Sequence, residues 1–204
     1  MTSTPTLPMK ALRMLLRCRR MVVVLALLGM AGGVSAQADL IISQYLEGNT
    51  GTNKYLELYN GTSSSVNLSN YQLRIYTNGS TTPTQAVLSG TLPANGTIVY
   101  GNSLGTIYAG PFTTLNAICT FNGNDAIALW KISTSSFVDI IGRIGNDPGS
   151  AWTSGSLSTA NQSLVRNANI CSGVTVSPSG TGAGAFTTLS SEWTNAGTDN
   201  VSGL

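Results

Sequence analysis

Two glutamates, Glu47 and Glu57, lie on neighbouring predicted strands, and a pair of carboxylates can carry out glycoside hydrolysis. Glycosidases usually place such a pair in a deep cleft of a larger fold, beside side chains that hold the substrate. No such side chains cluster near Glu47 and Glu57 in this sequence. The two carboxylates therefore do not indicate a glycosidase.

A second set of side chains is rich in oxygen and could bind calcium, which prefers carboxylate and carbonyl oxygens. Its members are Asp125, Asp139, Asp147, Asn122, Asn124 and Asn146. Residues 122–125 lack the alternating acids and the distant glutamate of an EF-hand loop, and asparagine and glycine at these positions are typical of a hairpin turn. We predict a turn and no cofactor, with a structural calcium ion as the alternative.

The composition excludes most nucleophilic and metal-dependent chemistry. The 204-residue sequence has no histidine, which excludes Ser-His-Asp and Cys-His catalysis and most zinc sites. Lys54 and Lys131, the two lysines after residue 38, do not lie in a Ser-x-x-Lys run. The glycines of residues 180–185 lack the preceding strand and the following helix of a dinucleotide-binding loop. We predict no catalytic residues, and a protein that is not an enzyme.

Residues 1–38 have the pattern of a secretory signal peptide. Basic residues precede an apolar run over 21–30, and small residues follow at a cleavage site after Ala36 or Ala38. The apolar run is too short to span a bilayer, which takes about 20 apolar residues. We therefore predict a secreted protein, extracellular or periplasmic, that has no membrane anchor once the leader is cleaved.

Removal of the leader changes the net charge. Five of the ten basic residues precede residue 39 and all eight acids follow it, so residues 39–204 carry a net charge of −3. An acidic chain with a few scattered cations lacks the clustered basic surface that grips phosphate backbones. We therefore expect nucleic-acid binding to be weak.

Arg143, Trp152 and Arg166 are candidates for an aromatic and cationic patch that binds nucleic acid. In the competing interpretation, Trp152 packs beneath the loop over residues 145–149, while the two arginines bind carbonyl groups or Asp139. The net negative charge favours the second interpretation.

Two cysteines, Cys119 and Cys171, follow the leader. An even pair in an oxidising compartment indicates a disulfide, which would close a loop worth roughly 4 kcal/mol of stability. We predict that bridge; the alternative is two buried thiols too far apart to meet.

Alternation of apolar and polar residues dominates after residue 38, and no segment has the period of an amphipathic helix. Strands are predicted over 39–46, 54–60, 66–68, 71–76, 86–88, 97–100, 117–119, 126–131, 137–141 and 162–166, with a last short segment around Trp193. Short strands at this spacing predict an all-β single domain over 39–204, an antiparallel sandwich or barrel.

Two details of the strand pattern can be checked directly. Asparagine followed by glycine predicts tight turns at residues 60–61 and 78–79. In the second strand, Leu56 and Leu58 share one face, whereas Tyr55, Glu57 and Tyr59 share the other.

Several short motifs occur in a fixed order: residues 41–48, 53–62, 66–73, 90–97, 122–129, 138–145, 148–149, 152, 163–166 and 192–193. This series resembles the bacterial lamin tail domain family over nearly all of residues 39–204. The resemblance implies an immunoglobulin-like antiparallel β-sandwich. It also implies structural roles for the residues of the motifs: Glu57, Asn60, Asp125, Asp139, Gly142, Gly145, Trp152, Arg166 and Trp193. For Glu57, that role is to accept hydrogen bonds from loop backbone or to pair with Arg74 or Arg143.

The resemblance also implies a kind of function. Such domains are similar to accessory modules of secreted bacterial proteins, often beside nucleases, metallophosphatases or other hydrolases. We therefore expect a secreted, non-catalytic module that binds a protein, a surface polymer or, weakly, extracellular nucleic acid. The alternative is the N-terminal accessory domain of a truncated secreted nuclease or phosphatase.

Overall fold

The structure is a computed structural model that describes residues 39–204, so the predicted signal peptide lies outside the described residues. The strands are β1 (Leu40–Glu47), β2 (Lys54–Asn60), β3 (Val66–Asn67), β4 (Tyr71–Tyr76), β5 (Thr84–Val87), β6 (Thr91–Leu92), β7 (Thr97–Gly101), β8 (Thr113–Thr114), β9 (Ala126–Lys131), β10 (Ser136–Ile141), β11 (Thr153–Ser154), β12 (Leu157–Ser158), β13 (Ser163–Arg166) and β14 (Trp193–Gly197). Short 3₁₀ turns cover Leu68–Asn70, Thr77–Gly79 and Ala183–Ala185, and a single-turn helix, α1, covers Leu189–Glu192. None of the helices in this described part is long and apolar enough to cross a membrane.

The strands form two main sheets and two short ribbons. The six-stranded sheet has the order β14-β13-β1-β2-β7-β8, and the four-stranded sheet has the order β10-β9-β4-β5. The ribbons are β3-β6 and β11-β12, and every pair is antiparallel except the parallel pair β7-β8. The fold is an immunoglobulin-like antiparallel β-sandwich, which confirms the predicted fold class.

The alternation of side chains between the two faces of each strand explains how the two sheets pack together. Leu56 and Leu58 of β2 point into the core between the sheets, where they meet Leu73 and Leu129 of the four-stranded sheet. All four are fully buried, and burial of each such side chain contributes about 1.5–3 kcal/mol. On the opposite face of β2, Tyr55 belongs to a separate apolar cluster, so the predicted division of this strand is confirmed.

A β-bulge at Ser43 changes the phase of β1. Ile42 pairs with Leu58, but the next paired residue is Gln44, which lies opposite Glu57. Ser43 and Gln44 therefore both lie on the outer face of the sheet, whereas Ile42 and Tyr45 both belong to the core. A bulge of this kind adds one unpaired residue to one strand of a pair.

The turn at residues 78–79 is confirmed, because Asn78 and Gly79 have φ values of 48° and 75° and join the paired strands β4 and β5. Residues 60–61 do not join two paired strands, so the tight turn predicted there does not close a hairpin. The neighbours of β2 are β1 and β7, and β3 pairs with β6. Asn60 instead links the segment after β2 to the end of β6. Its Nδ2 donates to the carbonyls of Ser64 at 2.9 Å and of Leu92 and Pro93 at 3.0 Å.

Residues 117–119 form a turn, so the strand predicted there is wrong. The backbone N–H groups of Ile118 and Cys119 both bond to the carbonyl of Leu115, at 3.0 and 2.9 Å. The side chains of Ile118 and Cys119 enter the core and are fully buried. The segment is apolar because it closes the core. Residues 122–125 form a turn that leads into β9, but this turn does not complete a hairpin, because no strand precedes it directly.

The predicted disulfide between Cys119 and Cys171 is also wrong. Cys119 is a free thiol inside the core, 0% exposed. Cys171 lies in a partly exposed turn beyond β13, where its Sγ lies 3.7 Å from the carbonyl of Asn169. The even number of cysteines after the predicted leader indicated a bridge, but Cys119 is a free thiol within the core.

Candidate functional site: a groove on the six-stranded sheet

A groove of about 690 Å³ lies on the face of the six-stranded sheet that points away from the core. Its floor includes a row of directly paired residues from five strands, in the order Thr194, Val165, Gln44, Glu57 and Val99. Neighbouring strands are separated by about 4.8 Å, so this row is about 19 Å long. We call this cavity the outer groove.

Aromatic side chains form one wall of the outer groove. Tyr108 and Phe112, from the loop between β7 and β8, both line it. Each ring packs edge-on against the buried Tyr55, with centroid distances of 5.7 and 5.6 Å. Such aromatic pairs add about 0.5–1.5 kcal/mol to the area they bury. This packing fixes the loop against the sheet, so the wall is preformed.

Residues 203–204 form another part of the boundary of the groove. Gly203 and Leu204 line the groove, and Leu204 packs with Leu46 and Val99 in the apolar cluster of the outer face. Gln44 anchors this segment, because its Nε2 donates to the carbonyl of Gly203.

Glu57 lies at the centre of the floor and is 6% exposed. Its Oε1 accepts hydrogen bonds from Ser43 Oγ at 2.6 Å and from Gln44 Nε2 at 3.1 Å. Both donors face the groove because of the bulge at Ser43. Burial raises the pKa of the neighbouring Tyr108, and the charge of Glu57 raises it further. Tyr108 is therefore a neutral phenol at physiological pH.

The expected partners of Glu57, Arg74 and Arg143, lie elsewhere. Arg74 donates from Nε and Nη2 to Gln72 Oε1, at 3.2 and 2.9 Å. Arg143 donates to the carbonyls of Pro178 at 3.2 Å and Gly145 at 3.4 Å. Ser43 and Gln44, which donate to Glu57, belong to the neighbouring strand of the same sheet; the bulge positions them, and sequence spacing did not indicate them.

Glu47 does not cooperate with Glu57. It forms a buried ion pair with Lys54, the residue directly opposite on β2, and its other oxygen accepts the backbone N–H of Asn161. The side chains of Glu47 and Lys54 are 8% and 1% exposed. A carboxylate held in this way has a structural role.

Asp139 and Arg166 form a second buried ion pair, between the two sheets. Arg166 Nη2 lies 3.0 Å from Asp139 Oδ1, and both side chains are 0% exposed. Asp139 also accepts the backbone N–H groups of Ile42, Ile140 and Val174, each at 2.9 Å. Arg166 lies over the ring of Trp193, 4.6 Å from its centroid.

The nucleic-acid patch of Arg143, Trp152 and Arg166 is therefore not formed, since Arg166 and Trp152 are buried. The competing interpretation of the arginines is confirmed, because Arg166 binds Asp139 and Arg143 binds carbonyl groups. Trp152 packs closely against Gly142, where a Cβ would lie 2.6 Å from the indole ring. Gly142 and Gly145 have φ values of 80° and 77°.

The aspartates of the oxygen-rich set accept hydrogen bonds from the chain itself. Asp125 is 2% exposed and accepts the backbone N–H groups of Asn78 at 2.9 Å and Asn122 at 2.8 Å. Asp139 is held in the pair described above, and Asp147 accepts the N–H of Gly149 in an exposed loop. Within residues 39–204, no group of three or more histidine, cysteine, aspartate or glutamate side chains is placed to hold a metal ion.

Sequence reasoning found Glu57 and its outward direction but missed the outer groove. The outward tyrosines of β2 were the available signal, because two aromatic rings on a face without a partner sheet need another cover. The covering segments, residues 107–112 and 201–204, come from distant parts of the chain.

Comparison with known proteins places the chain in a family context. The family model described as Lamin Tail Domain matches residues 33–145. No curated protein matches the chain at a significant level. The match includes Glu57 and the aromatic wall of the outer groove, while Val165, Thr194 and Leu204 lie beyond it.

Proposed function

The chain belongs to the lamin tail domain family, whose immunoglobulin-like modules are non-catalytic and generally serve interactions, and from this premise we propose that it is a secreted binding module. The outer groove is its binding surface, and the ligand is an extended, largely apolar segment of a protein partner. The groove is long enough for about five residues of extended chain, at roughly 3.3 Å each.

The proposal rests on which partners the charged side chains of the fold have. Lys54 neutralises Glu47 and Arg166 neutralises Asp139, both inside the fold. Glu57 is then the one acidic side chain among the described residues that line the outer groove. General acid–base chemistry on a substrate needs a second positioned proton carrier, whereas apolar contact needs only the aromatic and aliphatic walls.

A protein partner suits these walls better than a polyanion. Tyr108 and Phe112 offer partly exposed aromatic rings, and Tyr108 adds a polar hydroxyl; aromatic residues are enriched at protein interfaces. The net charge of −3 for residues 39–204 opposes binding of a polyphosphate backbone. Export by the predicted leader directs the module to partners outside the cytoplasm.

Filling the groove tests the proposal. Thr194→Trp adds a large ring to an exposed lining position on the edge strand β14, and Val87→Trp is a matched control on β5, the edge strand of the other sheet. Wild type and both variants serve as immobilised baits for the extracellular proteins of the producing cell. The retained protein is then purified and its Kd measured by calorimetry.

We expect the wild type and Val87→Trp to bind the purified partner equally, and Thr194→Trp to bind at least tenfold more weakly, a change of about 1.4 kcal/mol. Equal binding by all three proteins would place the interaction outside the outer groove. A glycan or DNA whose binding Thr194→Trp weakens would also overturn the proposal. Thermal melting confirms that each variant is folded.

The absence of catalysis is tested separately. Purified protein is incubated with Mg²⁺, Mn²⁺ or Zn²⁺ and either DNA or a chromogenic phosphodiester. We expect no turnover above buffer. Turnover that co-purifies with the protein and that Glu57→Gln removes would show that the module is an enzyme.

A further inference from the structure

A second surface lies on the four-stranded sheet, on the face turned away from the core. Four directly paired residues cross this sheet in one row: Val87 on β5, Gln72 on β4, Trp130 on β9 and Phe137 on β10. At about 4.8 Å per strand, this row spans about 14 Å. We call it the aromatic row; it is separate from the outer groove, and its function does not depend on that groove.

Arg74 lies beside the aromatic row, and its position is fixed. Its guanidinium carbon is 3.8 Å from the centroid of the Trp130 ring. Gln72 Oε1 accepts from both Nε and Nη2 of the same guanidinium, at 3.2 and 2.9 Å. Phe137 packs edge-on against Trp130, with centroids 4.8 Å apart at 82°. The three side chains around Trp130 therefore hold one another in place.

The donors of this surface face solvent. The guanidinium of Arg74 has five N–H groups, and within residues 39–204 its hydrogen bonds are the two to Gln72. The four ion pairs formed among these residues do not include Arg74. The Nη1 edge is thus available to an external acceptor, beside the exposed amide of Gln85, which pairs with Arg74 in the sheet.

Trp130 differs from the other two tryptophans. Trp152 and Trp193 are core residues, 0% and 2% exposed, with buried indole N–H groups. Trp130 is partly exposed, and its N–H is neither buried nor bonded to another described residue. Val87, at the end of the row, is 56% exposed. Exposed apolar side chains with polar groups at their rim are a feature of binding surfaces.

We propose that the aromatic row and Arg74 bind a polysaccharide that carries carboxylate groups, such as a polymer of uronic acid. The flat C–H face of a sugar ring packs on the apolar side chains of Trp130, Phe137 and Val87. The Nη1 edge of Arg74 binds the carboxylate, because a planar guanidinium matches that group. The amides and the Trp130 N–H bond to hydroxyl groups.

Single-stranded nucleic acid also stacks on aromatic side chains, but its affinity comes from several phosphate contacts along the strand. Arg74 is the cation of the aromatic row, and the neighbouring Lys131 is paired with Asp39 at 2.6 Å. The surface therefore provides one guanidinium, which binds one carboxylate. The rest of the affinity comes from apolar and hydroxyl contacts with sugar rings, and the oligothymidylate in the test distinguishes the two kinds of polymer.

The test is calorimetric titration of the purified protein with trigalacturonate. The matched probes are its methyl ester, which removes the charge but keeps the sugar, and a short oligothymidylate. The variants are Arg74→Gln, Trp130→Ala and, as a control in the outer groove, Phe112→Ala. Circular dichroism confirms the fold of each variant, and Arg74→Gln keeps the test valid if Trp130→Ala is destabilised.

We expect trigalacturonate to bind to the wild type and to Phe112→Ala alike, and the ester to bind at least about tenfold more weakly. Arg74→Gln should lose about the same factor for the acid and nothing for the ester, because only the carboxylate contact is removed. Absence of binding by the acid, equal binding of acid and ester, or tighter binding of the oligothymidylate would overturn the proposal.

Discussion

Asp139 on β10 and Arg166 on β13 join the two sheets through a buried contact of 3.0 Å between Oδ1 and Nη2. The same carboxylate binds the backbone N–H of Ile42 on β1, so one aspartate ties its own sheet to two strands of the other. A buried pair of this kind gives little net stability compared with apolar residues, but the loss of one partner leaves an uncompensated charge.

Asp139→Ala is therefore expected to lower the free energy of unfolding by about 3–5 kcal/mol. The variant removes the nearer anion of Arg166, leaving Glu192 at 3.5 Å, and it leaves three backbone N–H groups without an acceptor inside the fold. Urea titration of wild type and variant measures the difference. Lys131→Met is the control, because it removes a pair whose side chains are 29% and 21% exposed, and it should cost no more than about 1 kcal/mol. Equal losses in the two variants would contradict the role assigned to Asp139.

Gly142→Ala is expected to destabilise the fold more than Gly149→Ala. Both glycines have positive φ, 80° and 93°, so each substitution carries a backbone cost of about 1 kcal/mol. A Cβ at Gly142 would also lie 2.6 Å from the Trp152 ring, whereas nothing lies within 4 Å at Gly149. Overpacking should add about 1–3 kcal/mol for Gly142→Ala. Thermal or urea unfolding measures the stability of both variants. Similar losses of stability would show that the Trp152 ring moves aside at little cost.

Stability should fall at alkaline pH because of Cys119. Burial raises the pKa of this thiol from 9.0 to about 12 in the folded protein. Above pH 9 the unfolded chain releases the proton while the folded chain keeps it, so the free energy of unfolding decreases as pH rises, by up to about 1.4 kcal/mol per pH unit.

Cys119→Ala removes the contribution of this thiol, so the difference between wild type and variant isolates that contribution. Between pH 9 and 10 its stability should fall less steeply than that of the wild type, whatever the constant cost of the lost sulfur. Urea titrations under reducing conditions at each pH measure the slopes. Burial also raises the pKa of Tyr71 and Tyr100 to about 12, but both tyrosines are present in wild type and variant. Parallel slopes would show that the thiol ionises normally in the fold.

The exported protein should begin at Gln37 or Asp39, as cleavage after Ala36 or Ala38 requires. N-terminal sequencing and intact mass of the protein outside the cytoplasm measure this directly. Val24→Arg combined with Leu27→Arg interrupts the apolar run and should retain the protein in the cytoplasm. Export of that double variant, or an exported chain that keeps residue 21, would contradict the signal-peptide prediction.

Local pattern was sufficient for the strands that alternate cleanly. The structure has β2 over the predicted residues 54–60 and β9 over 126–131, because each presents one apolar face to the core. Residues 117–119 were assigned wrongly for the converse reason. An apolar plug that enters the core from a turn has the composition of a buried strand, and only its distant contacts distinguish the two.

The two proposed surfaces depend on strand order, which composition does not encode. Gln44 and Val165 lie side by side in the outer groove, although more than a hundred residues separate them in sequence. Gln72 and Trp130 are direct partners in the aromatic row only because β4 pairs with β9. The sequence pattern therefore did not indicate Trp130 as a surface residue. It suggested a binding patch with Trp152 and Arg166 instead, and both are buried.

The extra residue at Ser43 lets two consecutive side chains of β1 face the same side of the sheet. Deletion of Ser43 would convert the bulge into a regular ladder, in which Ile42 still lies opposite Leu58 and Gln44 still lies opposite Glu57. Tyr45 and Leu46 would keep their surroundings, and Glu57 would lose one hydroxyl donor. A polar group of the groove floor can therefore be gained or lost at this backbone position while the packing of the interior stays the same.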